Sequence, residues 1–500
     1  MCSSDLGIAA LLTRLSGFAR DIVLAAFFGA GAVSDAFILA FTIPDTLLVF
    51  VSGAVAASFI PMYHRVIDKT KFTRNIMTCL LLTGILFSVI FTMLPGALVR
   101  LFAFQVAPET FELAEYFVRY MVWSAAFALL VEIYNARLEI NGAFFSSGIR
   151  NLWRNAVIII GLALGAVYNN NLMIALAPVA GSALCMISLS LGCRKHGFTY
   201  RPYLDIRSPE LKQTLILTGP IFLSNAAGQI KAIISRNFAA SLPVGTISAL
   251  DYSFKVAGLF AALIGQALFT VLFPHMSKLA ADSDMRRLKS TLTRSIMCIL
   301  AIMLPICAVV AVLAEPGVRI LFERGSFTPE DTALTAACLR MYALIAFTAS
   351  INPLLMRAFY AIQNTKTPAR ISIASVIAST GLNLLFIGPL GAEGLALSGS
   401  LSGLLMTMLL LIFLRKKMGR LGMRAKLQEL VKIAFAAGAV GTGAWLTANA
   451  LPLMIASALW SAFLCSVIAV GSALLYAILL ILLKSKTASE IMLMLMSREA

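Results

Sequence analysis

About fourteen apolar segments of membrane-spanning length divide this chain, and they exclude every fold except a bundle of membrane helices. A helix needs about 20 mostly apolar residues to cross a bilayer. With 60% hydrophobic and 13% charged residues, the composition also lies far from that of soluble domains. We predict an all-α polytopic membrane protein with segments at 7–29, 33–62, 75–97, 114–136, 151–168, 172–193, 211–235, 247–273, 293–314, 332–356, 371–390, 392–414, 430–450 and 457–483.

The connections between these segments alternate between basic and nearly uncharged. The basic set holds Arg65, Lys69, Lys71, Arg74, Arg137, Arg150, Arg154, Arg194, Lys195, Arg201, Arg207, Lys278, Arg286, Arg287, Lys289, Arg357, Lys366, Arg370, Arg415, Lys416, Lys417, Arg420, Arg424 and Lys426. Because basic loops stay cytoplasmic, both termini should be cytoplasmic and the number of spans even. This topology also accounts for the net charge of +17 without a nucleic-acid partner.

The chain contains an internal duplication. Residues 94–121 (LPGALVRLFAFQVAPETFELAEYFVRYM) match residues 315–342 (EPGVRILFERGSFTPEDTALTAACLRMY). We therefore predict two six-helix lobes around a central cavity, at 1–200 and 201–416, followed by two helices and a cytoplasmic tail at 417–500. Parallel repeats with a site between them are a transporter architecture. Residues 1–6 (MCSSDL) read like a translated sequencing adapter, and we expect them to be a cloning or sequencing scar.

Two arginines lie inside the first apolar segment, in TRLSGFARD. Each costs roughly 2.5–3.5 kcal/mol at a bilayer centre. Arg20 precedes the outer end at Gly29–Gly31 by about 15 Å, and Arg14 lies roughly 9 Å deeper. Snorkelling from that depth cannot fully reach water. A cationic cavity suits an anionic cargo, and guanidinium groups favour forked binding of phosphate. Arg14 and Arg20 are therefore candidate substrate-binding residues.

Other charges lie within or near the spans. Asp35 begins the second segment, and we expect it to pair with Arg20 as an outer gate of one ion pair. Lys255, early in the eighth segment, is a third candidate substrate-binding residue. Charges near helix ends, such as Lys231 and Arg236, can instead snorkel or pair locally.

Four stretches carry a resemblance to a known family: TRLSGFARDIVLAAFFGAGAVSDAFILAFTIPD, SLPVGTISALDYSFKVAGL, ILFERGSFTPEDTALTA and RAFYAIQNTKTPARISI. They resemble the MviN/MurJ lipid II flippases of the multidrug/oligosaccharidyl-lipid/polysaccharide exporter superfamily. The resemblance implies fourteen helices, two lobes around a cavity, and an undecaprenyl-pyrophosphate-linked muropeptide moved from the inner to the outer leaflet by alternating access. It also implies important arginines at Arg14 and Arg20 and an acid at Asp35.

The sequence departs from that family's pattern at several positions. Where the family carries a pair of arginines in the second span, this chain has only Leu47, Leu48 and Val49. Where the family carries an arginine in the eighth span, this chain has Lys255. The acids of a sodium site in some members are Ser235 and Asn383 here, which makes sodium coupling on those ligands doubtful because a hard cation prefers carboxylate oxygens.

The leading hypothesis is a transporter that flips lipid II, and not an enzyme. A flippase for an exopolysaccharide or O-antigen repeat unit is the close alternative. A cation-coupled drug exporter is disfavoured, because it would need an acidic, aromatic cavity. We expect no cofactor and no metal site, a multi-pass protein of the bacterial inner membrane, and a monomer.

Overall fold

The computed structural model describes residues 2–143, 148–261, 279, 284–419, 426–451 and 458–487, with the side chains of 2–10, 48–52, 220–227 and 458 left out. The described residues are nearly all helical and contain no strand. The helices are α1 (Cys2–Phe28), α2 (Ala32–Arg65), α3 (Lys69–Met93), α4 (Pro95–Phe102), α5 (Pro108–Met121), α6 (Ser124–Ile140), α7 (Arg150–Val167), α8 (Asn171–Lys195), α9 (Pro209–Ala240), α10 (246–261), α11 (Met285–Val312), α12 (Ala314–Phe322), α13 (Pro329–Ala361), α14 (Lys366–Met418), α15 (Leu427–Ala450) and α16 (Ala458–Leu482).

Each predicted apolar segment overlaps one of these helices over its described residues, and two places depart from a one-to-one match. The segment 114–136 is shared by α5 and α6, which meet at a bend of 48°. The segments 371–390 and 392–414 are joined in α14, which breaks at Gly391, where φ is 54°. Within the described residues, seven helices are long and apolar enough to cross a membrane, and the bent pair makes up to eight. The all-α membrane fold is confirmed; residues 262–273 of the eighth segment lie outside the description.

The duplicated stretches fold into the same order of elements. In each, a short helix (α4 or α12) is followed by a loop and then by a longer helix that begins at a proline, Pro108 or Pro329. Proline suits the first turn of a helix because its missing N–H would have no intrahelical acceptor there. The repeat seen in the sequence is therefore also a repeat of local structure.

The chain forms two compact units, one of 1–248 with 324–328 and one of 249–323 with 329–500. In the first, α2 packs against α5, α6 and α9, and α7 packs against α1 and α8. In the second, α13 packs against α14, and α11 against α13 and α15. The first unit includes α9 and extends to residue 248, so its boundary differs from the predicted lobe boundary at residue 200. The lobe bounds at 200 and 416 stay predictions.

Small residues bring α7 and α8 into close contact. A Cβ atom on Gly161 would overlap that of Ala177, and one on Gly165 would overlap the side chain of Ile174. This GLALG spacing allows two helix backbones to approach in a membrane, where packing and not the hydrophobic effect drives association. The contact fixes the position of α7, the helix that carries Arg154.

We expect Gly161→Ala to lower the thermal stability of the purified protein. The added methyl has to displace Ala177, and overpacking of this kind costs about 1–3 kcal/mol. The matched control is Gly438→Ala in α15, where a Cβ would meet nothing within 4 Å. Thermal unfolding in detergent measures both variants; equal melting temperatures would contradict the close packing of α7 on α8.

Candidate functional site

The two arginines of α1 differ in how they are paired. Arg20 is 9% exposed, and its Nη2 and Nε donate to Oδ1 of Asp21 at 2.8 and 3.1 Å. Arg14 is half-buried, and its buried Nη1 has no hydrogen-bond partner among the described residues. An unsatisfied buried donor costs free energy, about 1–3 kcal/mol, and calls for an explanation, of which a bound anion is one.

Phe41 of α2 joins Arg20 to a second cation. The guanidinium carbons of Arg20 and Arg154 each lie 4.7 Å from the centroid of its ring. Nη2 of Arg154 also donates to Oδ1 of Asp45 at 2.7 Å. The charge pattern of the sequence assigns Arg154 to a basic loop and does not predict this arrangement. Asp45 was the available signal, since an acid within an apolar run requires a cationic partner.

Contacts of α7 with its neighbours hold Arg154 in this position. A Cβ on Gly181 of α8 would lie 2.7 Å from the carbonyl oxygen of Arg154, so the two backbones touch. Nδ2 of the next residue, Asn155, donates to Oγ of Ser16 in α1 at 2.9 Å. Helices α1, α2 and α8 therefore fix the place from which the guanidinium of Arg154 extends.

We call Arg14, Arg20, Arg154, Phe41, Asp21 and Asp45 the cationic cluster. Arg20 and Arg154 share the ring of Phe41, and Arg14 lies about 9 Å from Arg20 along α1, at about 1.5 Å per residue. These residues carry three positive and two negative formal charges, an excess of one positive charge. In a partly desolvated environment a cation attracts anions far more strongly than it does in water. The cluster is suited to bind a phosphate group.

Asp35 has a different partner from the one that the sequence suggested. Its Oδ2 accepts a hydrogen bond from the backbone N–H of Gly245, and its Oδ1 one from that of Ser248, both at 2.7 Å. These N–H groups lie at the start of α10, where a helix leaves its first amides without acceptors. Asp35 thus caps α10 from another helix, with favourable charge for a helix N-terminus.

Two further backbone contacts surround the C-terminal end of α1. The N–H of Ser326 donates to the carbonyl of Ala26 at 2.8 Å. Gly325 has a φ of 62°, and a Cβ there would overlap the carbonyl of Ala26. Gly245, with a φ of 91°, approaches the carbonyl of Ala30 in the same way. Both glycines are required because a side chain would be strained and would overlap the neighbouring backbone.

Lys255 belongs to the other compact unit. It forms an ion pair with Asp251, one turn earlier in α10, and its side chain is 31% exposed. The pairing is local, as i,i+4 pairs on helices usually are.

A family model described as "Lipid II flippase MurJ" matches residues 24–468, most of the chain. The chain belongs to this family. The family is one of membrane-embedded, multi-pass transporters of a lipid-linked substrate and not of enzymes, as the sequence predicted.

Individual relatives agree with the family match. A protein of Rickettsia prowazekii named "Probable lipid II flippase MurJ" is 28% identical over 409 residues, which cover 79% of this chain and 80% of the relative. One of Bdellovibrio bacteriovorus with the same name is 26% identical over 461 residues, covering 89% and 87%.

Solved structures share the fold. A structure described as "Lipid II flippase MurJ, inward closed conformation" has a TM-score of 0.81 at 24% identity and covers 95% of this chain and 97% of its own. An inward-facing multidrug resistance transporter of the MATE family has a TM-score of 0.69 at 14% identity, covering 82% and 95%. The fold is therefore that of MurJ and, more distantly, of MATE transporters.

Proposed function

We propose that this protein flips lipid II from the inner to the outer leaflet of the bacterial inner membrane. The observation that carries the proposal is the cationic cluster, found within a chain of the MurJ family. Lipid II offers a pyrophosphate, whose charges match clustered guanidinium groups. We propose that both termini lie in the cytoplasm, as the charged loops suggest, and that the protein acts as a monomer.

Binding of the pyrophosphate involves Arg14 and Arg20. Arg14 has a buried donor available, and phosphate oxygens are strong acceptors of charge-assisted hydrogen bonds. Arg20 is held by Asp21 and stacked on Phe41, so its planar group is oriented before cargo arrives. Pre-orientation lowers the entropy lost on binding. Lys255 adds a positive charge on α10.

Alternating access requires an outer closure that can be released. The contacts of Asp35 with Gly245 and Ser248 supply one, because they tie the outer start of α2 to the start of α10. The close contacts of Gly325 and Gly245 with the end of α1 support it. Cargo opens this side only if it binds the open state more tightly than the closed one.

Complementation tests the proposed function. The gene is expressed in a bacterium whose resident lipid II flippase can be depleted, and growth after depletion is measured. We expect the cells to survive. Lysis despite normal membrane insertion would contradict lipid II as the cargo and favour the alternative, an exopolysaccharide or O-antigen repeat unit.

We expect Lys255→Arg to keep transport and Lys255→Ala to lose most of it. A positive charge at this position attracts a phosphate even without a forked geometry. Growth in the depletion strain measures both variants at matched protein levels. Equal growth with arginine and alanine would mean that Lys255 serves only its ion pair with Asp251.

A further inference from the structure

We infer that Arg154 of α7 is a third ligand for the cargo phosphates, and that Asp45 of α2 competes with those phosphates for it. This inference rests on the proposed function, since it assigns a further residue to the same site. It makes the Arg154–Asp45 ion pair an exchangeable contact instead of a fixed tie between two helices.

The first argument is position. Arg154 and Arg20 lie at the same distance from the centroid of the Phe41 ring, so their guanidinium carbons are separated by at most twice that distance. A pyrophosphate carries two phosphate groups, and each of two neighbouring guanidinium groups can bind one of them in a forked geometry. A cation–π contact with Phe41 holds both guanidinium groups beside the ring.

The second argument is unused donor capacity. A guanidinium has five N–H donors, and carboxylate Oδ1 of Asp45 engages Nη2 of Arg154. Nε of Arg154 is buried and has no hydrogen-bond partner in the part of the chain that the structure describes. Nη1 of Arg14 is also buried and has no hydrogen-bond partner among the described residues. Two buried cationic donors without acceptors among the described residues, one on each of the packed helices α1 and α7, fit an anionic ligand with several oxygens.

The third argument is the difference between the two ion pairs of the cluster. Arg20 and Asp21 are adjacent in α1, and their side chains are 11% and 4% exposed. In the other pair the side chain of Arg154 is 17% exposed and that of Asp45 is 35% exposed. Asp45 can therefore turn towards water when a phosphate replaces it, whereas α8 and α1 hold the backbone of Arg154 in place. Exchange is physically easier at this pair than at the other.

The test measures binding of lipid II to the purified protein in nanodiscs. Arg154→Ala should weaken binding about tenfold or more, because a charge-assisted contact is lost. Asp45→Asn should tighten it, because the competitor loses its charge. Arg154→Lys should give an intermediate affinity, since it keeps the charge without the fork. Opposite signs for Asp45→Asn and Arg154→Ala are the signature of competition.

A matched control lies one turn earlier on the same helix. Arg150 pairs with Glu132 of α6 at 3.3 Å, and the side chains are 24% and 26% exposed. Glu132→Gln should leave the affinity for lipid II unchanged. Melting temperatures are recorded for all variants, so that a change in affinity is compared among folded proteins only.

A fixed structural tie predicts a different result. Asp45→Asn would then lower the melting temperature without tightening binding, and that result overturns the inference. If Arg14→Ala and Arg20→Ala weaken binding while both Asp45→Asn and Arg154→Lys bind like the parent protein, the inference fails and the proposed function stands. If none of these variants alters binding, the inference fails and the cationic cluster is not the cargo site, and growth in the depletion strain decides the proposed function separately.

Discussion

Arg14→Ala and Arg20→Ala are each expected to abolish growth in the depletion strain while the protein still reaches the membrane. Each variant loses charge-assisted contacts to phosphate, worth about 1.5–3 kcal/mol per hydrogen bond to a charged group. Every transport cycle has to bind the cargo phosphates, so losing these contacts should abolish growth completely. Growth after depletion and the amount of protein in isolated membranes measure the two quantities separately.

Two controls separate cargo binding from stability. Arg20→Ala leaves Asp21 as a buried charge without this partner, which can cost about 3–5 kcal/mol. The double variant Arg20→Ala/Asp21→Asn removes that charge and should fold but still fail to transport. Arg119→Ala removes an arginine whose side chain is 52% exposed and should grow normally. Full growth with both single variants would exclude a cationic cargo site on α1.

Asp35→Asn is expected to shift the protein towards the outward-open state and to slow net transport. An amide has only one oxygen, and its NH₂ group would face a backbone N–H where a carboxylate oxygen now accepts. Losing a hydrogen bond to a charged acceptor costs about 1.5–3 kcal/mol, a roughly ten- to hundredfold change in the equilibrium. Binding of cargo should be unchanged or tighter.

Labelling from the periplasmic side measures this shift, in a protein whose native cysteines have been replaced. Ala40→Cys reports on opening, because Ala40 is fully buried in α2 below Asp35. Ser241→Cys, at an exposed position, is the control that should be labelled equally in both states. Equal labelling of Ala40→Cys with aspartate and with asparagine at position 35 would leave Asp35 as a helix cap without a role in gating.

The long helices and their order were predictable from the sequence, although some ends differ by up to eight residues and the short helices α4 and α12 were not predicted. An apolar stretch in a bilayer has to satisfy its own backbone hydrogen bonds, and a helix does so without a partner. The same reasoning identified Arg14 and Arg20, because a charge far from both ends of an apolar helix needs a polar environment. The bend between α5 and α6 was missed, since hydropathy reports length and not direction.

The sequence could not predict which side chains contact one another within the cationic cluster. Arg154 sits near the start of α7, where a basic residue normally belongs to a cytoplasmic loop. Only the packing of α7 against α1 and α8 brings it to Phe41 and Asp45. Contacts between side chains on different helices depend on helix rotation and tilt, which neighbouring helices determine.

Asp35 shows most clearly which features the sequence determines and which only the tertiary structure decides. The sequence by itself determined that an acid stands in the first turn of α2, within an apolar run, and that it needs a partner there, because an isolated charge is costly in such a segment. It suggested Arg20, the nearest cation by position. The tertiary structure decided otherwise, since Asp35 accepts from the backbone N–H groups of Gly245 and Ser248. Backbone donors at a helix start are present whatever the residue type, so only the approach of two distant segments reveals them.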